Sequence, residues 1–211
     1  MNQILPSNLS EVETIMCNLL IDSINEITSN KLSINLKFEG LRLMPPMLRL
    51  GDKLLNKKIQ ARLLWSDAGS VALAKRDAPF LTDYIHSFSE INTGKLIPDK
   101  NDLLICVSPQ PYDYEDFFNV CNSHNGKIIM VNGRLEDFAV GIGSTGRDRR
   151  KVFISSWRYI YCLEPITNGA LMKIYPYPWS LFRRDEDGYR FLKSFDEKPD
   201  QELIIDALLN Y

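Results

Sequence analysis

Histidine is scarce, with two in 211 residues. Neither His86 nor His124 lies in an HExxH or HxE pattern, and no serine or cysteine stands in a nucleophile motif. The spacing therefore supports no zinc site and no hydrolytic triad, and nothing in it argues for an enzyme. The four cysteines, Cys17, Cys106, Cys121 and Cys162, are scattered without a CxxC pair, which argues against a disulfide framework and for a reducing compartment. Charge of one sign is also missing. A formal net charge of -2 leaves no basic surplus for general nucleic-acid binding. No uncharged apolar run approaches the ~18 residues of a transmembrane helix, and MNQILPSNLSEVE has no basic region followed by an apolar one, so no signal peptide is expected. Any work at a membrane is then done at its surface. No cofactor or metal is implied.

What is present fits an ordinary globular chain, 45% hydrophobic and 25% charged, read as one α/β domain over residues 1–211. Behind Leu5-Pro6-Ser7, the residues Leu9, Val12, Met16, Leu19, Leu20, Ile24 and Ile27 recur at helical spacing. Leu32, Ile34, Leu36 and Phe38 then alternate with polar residues, as in a half-buried strand. Leu50, Leu54, Leu55, Ile59, Leu63 and Leu64 predict a second helix from Met47 to Trp65. Asp67 is placed to cap a short helix from Ala68 to Ala74, and Thr82 to Ile97 reads as loop. Asp102 to Val107 (strand), Tyr112 to Cys121 (helix) and Lys127 to Val131 (strand) make a βαβ unit with parallel strands.

That unit locates the first candidate site, because ligands of open α/β sheets collect at the carboxyl ends of the parallel strands. Ser108, Gln110, Asn132 and Arg134 stand there. Beyond them Gly141, Gly143 and Gly146 surround Ser144 and Thr145, and Arg147, Arg149, Arg150 and Lys151 follow with Asp148 alone to offset them. The glycines allow close backbone approach, so Gly141, Gly143, Ser144, Gly146 and Arg147 complete a candidate anion site. The alternative is a structural connection with a solvated basic face. No Gly-Lys-Ser/Thr follows the glycines, so a Walker loop is absent. The loop is expected to enter another strand, Val152 to Ser156, and so to lack the helix N-terminus that holds a pyrophosphate.

From there the chain reads as strands in close succession: Tyr159 to Leu163, Ala170 to Tyr175, Trp179 to Arg184 and Tyr189 to Lys193, with turns at Asn168-Gly169 and Asp185 to Gly188 and a closing helix from Pro199 to Leu209. The expected fold is thus a three-layer α/β mixed sheet, with its parallel βαβ part in the first two thirds and antiparallel strands in the C-terminal third. Tyr175, Tyr177 and Trp179 in YPYPW are either a recognition surface or a strand end packed under a loop. With Arg149, Arg150 and Lys151 they form the candidate partner-binding set.

Several stretches together, LPSNLSEVE, DAGSVALAKRDA, LLICVSPQ, KIIMVNGRL, GIGSTGRDRRKVFISSWRYIYCLEP and YPYPWSLF, resemble an uncharacterised domain of plants and cyanobacteria. It is the domain of the chloroplast low-photosystem-II-accumulation type, found also beside the kinase in a plastid adenylate kinase. The matches run from Leu5 to Phe191. The resemblance implies an accessory factor in photosystem II assembly, with a photosystem II core subunit or the membrane insertion machinery as partner. It implies a cytoplasmic protein with a peripheral place at the thylakoid surface, and it carries no established catalytic residues. The relative fused to a kinase keeps a phosphorylated or anionic small molecule, or a nucleotide, as the alternative ligand.

Overall fold

The computed structural model describes residues 4–135 and 144–210, apart from the side chains of Asn25 and residues 144–147. Nine strands form one mixed sheet in the order β3-β2-β4-β5-β1-β6-β7-β8-β9. The chain divides into two compact units. One holds Ile24–Ser33 and Arg42–Arg158; the other holds Met1–Ser23, Ile34–Leu41 and Tyr159–Tyr211. Strand β1 (Lys31–Leu36) contributes to both.

The first unit is the parallel half. Its strands β2 (Ala61–Trp65), β3 (Ile85–Ser87), β4 (Leu103–Val107) and β5 (Ile128–Val131) alternate with helices α2 (Met44–Asn56), α3 (Ala68–Asp77), α4 (Phe88–Asn92), α5 (Tyr114–Ser123) and α6 (Ser144–Ser155). Strands β2 and β4 pair in parallel with Leu63 beside Ile105, and β4 and β5 with Ile105 beside Ile129. Every residue of β4 and β5 is buried. Their unbroken apolar runs follow from that, since neither face is left for a polar side chain. On one face Leu64, Leu104, Cys106, Ile128 and Met130 pack with Phe88, Phe117, Phe153 and Trp157.

The second unit is the antiparallel half: β6 (Arg158–Ile166), β7 (Gly169–Ile174), β8 (Trp179–Asp185) and β9 (Gly188–Phe195), with α1 (Leu9–Glu26) and α7 (Gln201–Leu209). Tight turns join the strands. Asn168 holds φ +61° before β7, and Gly188, the first residue of β9, holds φ +135°. Gly169 is required by close approach, because a Cβ there would lie 2.3 Å from the Phe182 carbonyl oxygen. Val12, Met16, Cys17 and Leu20 of α1 are buried, and its first turn is closed by Asn8 Oδ1, which accepts from Glu11 N at 3.0 Å.

Three local expectations are corrected. The helix from Met47 to Trp65 stops at Asn56, and Ala61–Trp65 is strand β2, in the middle of the parallel ladder. Lys58 breaks the helix with φ +62°, a left-handed lysine that composition does not mark. Thr82 to Ile97 is structured: it contains β3 and α4, whose Ser87 and Glu90 close a reciprocal capping box. Val152 to Ser156 is not a strand. Residues up to Ser155 belong to α6, because helical spacing lets Phe153 and, one turn on, Trp157 reach the same core. The glycine-rich segment after β5 therefore leads into a helix, contrary to the sequence expectation.

Candidate functional site

Strands β2, β4 and β5 end level with one another, since Leu64 lies beside Cys106 and Val107 beside Val131. Just past those ends the backbone turns sharply twice. Ser108 has φ +52° and Asn132 φ +51°; neither is glycine, and such left-handed residues persist only where their surroundings hold them. The hold is visible. Ser108 N donates to the Val131 carbonyl at 2.7 Å, and Arg134 N donates to the Pro109 carbonyl at 2.9 Å, so the two exit loops are stitched together.

Gln110 lies across this junction. Its side-chain Nε2 donates to the Ser108 carbonyl at 2.8 Å and to Ser108 Oγ at 2.9 Å, while its backbone N donates to Asp113 Oδ2 at 2.8 Å and starts the turn into α5. Ser108 and Gln110 therefore shape the exit of β4. Arg134 is exposed beside them. Asp67, just past the end of β2, accepts from Ser70 N at 2.7 Å, and hydrogen bonds from the Ser70 hydroxyl and then from its backbone N hold the carboxyl below the usual range. The sequence expectation used Asp67 only as a cap; assigning β2 to a helix hid that it shares this edge with Ser108 and Asn132. Of the remaining candidates, Gly141 and Gly143 lie outside the described residues. Ser144, Gly146 and Arg147 fall in the first turn of α6, with their side chains outside the description.

The partner-binding candidates separate into two kinds. In the parallel unit, Arg149 and Lys151 are exposed on α6, and Val152 next to them is 69% exposed. Arg150 turns inward instead, its guanidinium 4.0 Å from the centre of the Tyr114 ring. Burial pushes the Tyr114 hydroxyl up, and the Arg150 charge opposes that shift. In the antiparallel unit, Tyr177 is exposed and Tyr175 half-buried, but Trp179 is 4% exposed and packs edge-on against Tyr159 at 5.3 Å. Trp179 is thus core, and the aromatic segment offers Tyr177 as its surface residue.

A family model described as a domain of unknown function (DUF1995) matches residues 7–205. The chain belongs to the DUF1995 family. No curated protein matches it.

Several other polar groups of this DUF1995 chain are committed to structure. His124 is buried with Nε2 3.0 Å from the Asp102 carbonyl oxygen, and burial pulls its pKa down. Asp102 also pairs with Arg62, Nε to Oδ2, at 2.5 Å. All four cysteines are free and buried; burial pushes Cys121 and Cys162 up to about 12. They are packing residues and not nucleophiles. Among the described residues no group of three or more His, Cys, Asp or Glu side chains is placed to hold a metal ion, and no helix is long and apolar enough to cross a membrane.

Proposed function

We propose that this chain is an accessory factor for photosystem II assembly that acts through protein contacts at the thylakoid surface and carries out no chemistry of its own. The observation that carries the reading is the outward face of α6, where Arg149, Lys151 and a 69% exposed aliphatic side chain, Val152, stand with Asp148 as the one anion among them. An exposed apolar residue with two cations beside it and a net positive balance suits an acidic partner surface or an anionic headgroup layer, where each cation adds about 1 kcal/mol of attraction. The short matches to the low-photosystem-II-accumulation type of domain support this process and a partner among the photosystem II core subunits or the insertion machinery. The test is flotation with vesicles containing anionic lipid, at low salt. Arg149→Glu with Lys151→Glu should release the protein; unchanged flotation would remove α6 from the account.

A second reading is favoured by the strained pair Ser108 and Asn132, with Arg134 exposed beside them. In it the carboxyl edge of the parallel strands takes a phosphorylated or otherwise anionic small molecule, with Arg134 as its counter-charge. A saturable thermal shift with one member of a nucleotide and phosphometabolite panel, lost in Arg134→Ala, would support it. A panel without any shift would set it aside.

A further inference from the structure

We propose that Asn125 is a site of spontaneous deamidation in the folded chain, and that it reacts ahead of the two other asparagines followed by glycine, Asn132 and Asn168. In this reaction the backbone N of the following residue attacks the asparagine Cγ. The bond from Cγ to the side-chain nitrogen breaks, ammonia leaves with the proton given up by the attacking amide, and a succinimide ring closes. Water then opens the ring at either carbonyl, giving aspartate or an isoaspartate whose backbone is one methylene longer. Glycine favours the attack because it has no Cβ to obstruct it.

The three pairs share a sequence but not a conformation. Asn132 holds φ +51° and Asn168 φ +61°, the left-handed region in which ψ is also positive and the next amide is turned away from the side chain. To bring that amide round, each backbone must leave the region, and each is held in it. Around Asn132, Ser108 N donates to the Val131 carbonyl and Arg134 N to the Pro109 carbonyl. The Asn168 carbonyl accepts from Arg184 N at 2.9 Å, and Gly169 belongs to the ladder, paired with Ile166 and Arg183.

Asn125 is held far less. It is exposed, lies between α5 and β5 outside both, and does not have a left-handed φ. Among the described residues its side chain makes no hydrogen bond and the Gly126 amide donates to no partner. The bond at this point is to the Asn125 carbonyl, from Asn30 Nδ2 at 3.0 Å on the surface. The glycine is imposed by packing, because a Cβ on Gly126 would lie 2.3 Å from the Lys100 carbonyl oxygen. The close approach that demands glycine therefore also leaves the asparagine before it open to attack.

The position gives the change a structural consequence. Asn30 ties the entries of β1 and β5 together: its side chain donates to the Asn125 carbonyl, and its own carbonyl accepts from Ile128 N at 2.8 Å. An isoaspartate at position 125 lengthens the chain just before β5, a strand buried at every position, and places a new carboxylate near Lys127.

Incubation of the full chain at mildly alkaline pH, followed by peptide mass spectrometry with chromatography that resolves aspartate from isoaspartate, tests this. A parallel incubation in denaturant supplies the reference in which all three turns are free. In the folded chain Asn125 should convert about tenfold faster than Asn132 or Asn168, because the hydrogen bonds that hold those two turns must open first. Two results would overturn the proposal: an Asn125 that stays an amide in the folded chain, or an Asn132 or Asn168 that converts there as fast as Asn125.

Discussion

Replacing Phe153 with alanine removes the ring that ties α6 to the parallel half. Phe153 is 4% exposed and lies 5.7 Å from the ring of Tyr114, 5.9 Å from Phe117, 5.2 Å from Phe118 and 5.8 Å from Trp157, all tilted or edge-on. Lys31 Nζ stands 4.7 Å above it. A buried Phe→Ala change costs about 3–5 kcal/mol in transfer and cavity terms together. Four ring neighbours and a cation put this site toward the upper part of that range, about 4 kcal/mol, or a fall in Tm of about 10 °C for a chain of this size. Val152→Ala, one residue away but 69% exposed, should change stability by no more than about 0.5 kcal/mol. The contrast reports on secondary structure as well as burial. Arg150 and Phe153 both meet the Tyr114 ring, which residues three apart do on a helix, whereas on a strand they would face opposite ways. Guanidinium unfolding followed by circular dichroism and tryptophan fluorescence gives both numbers. A Phe153→Ala cost below about 1 kcal/mol, or a Val152→Ala cost equal to it, would refute the placement of α6.

Three further outcomes follow from buried polar groups. Arg62→Met should destabilise the protein by about 3 kcal/mol, because Asp102, with 7% of its side chain exposed, loses a partner at 2.5 Å. Urea midpoints should show part of that loss recovered when Asp102→Leu is added, and equal stability of the single and double variants would contradict the reading. The buried thiols make stability fall in alkali. The thiols of Cys121 and Cys162 are raised from 9.0 to about 12 in the folded chain, so the unfolded chain loses those protons first, and stability should decline as pH rises from 9 toward 12. In the same protein at pH 8, alkylating reagents should label none of the four cysteines until denaturant is added; rapid native labelling would contradict their burial.

The fold class was legible wherever burial leaves a simple pattern. Strands β4 and β5 are buried at every position, so their apolar runs stand out. The turns at Asn168 and Gly188 announce the antiparallel half in the same direct way. Illegible were the places where neighbours decide. Leu63 and Leu64 continue the helical spacing of α2, and only the left-handed Lys58 and the ladder to β3 and β4 make them strand. Val152, Phe153 and Ile154 carry a strand-forming composition, yet the aromatic surface of α5 draws them into a helix. The candidate site was half legible. Ser108 and Asn132 could be placed at strand ends from the runs before them, but their positive φ and the Gln110 bridge depend on how the two exit loops meet.

The central claim is that this chain works by contact with the photosystem II assembly apparatus, and a pull-down of the tagged full chain from detergent-solubilised thylakoid membranes tests it most directly. Recovery of a photosystem II core subunit or of the insertase, reduced in the Arg149→Glu, Lys151→Glu variant, is the predicted result. Recovery of neither above the level of an untagged control would contradict it.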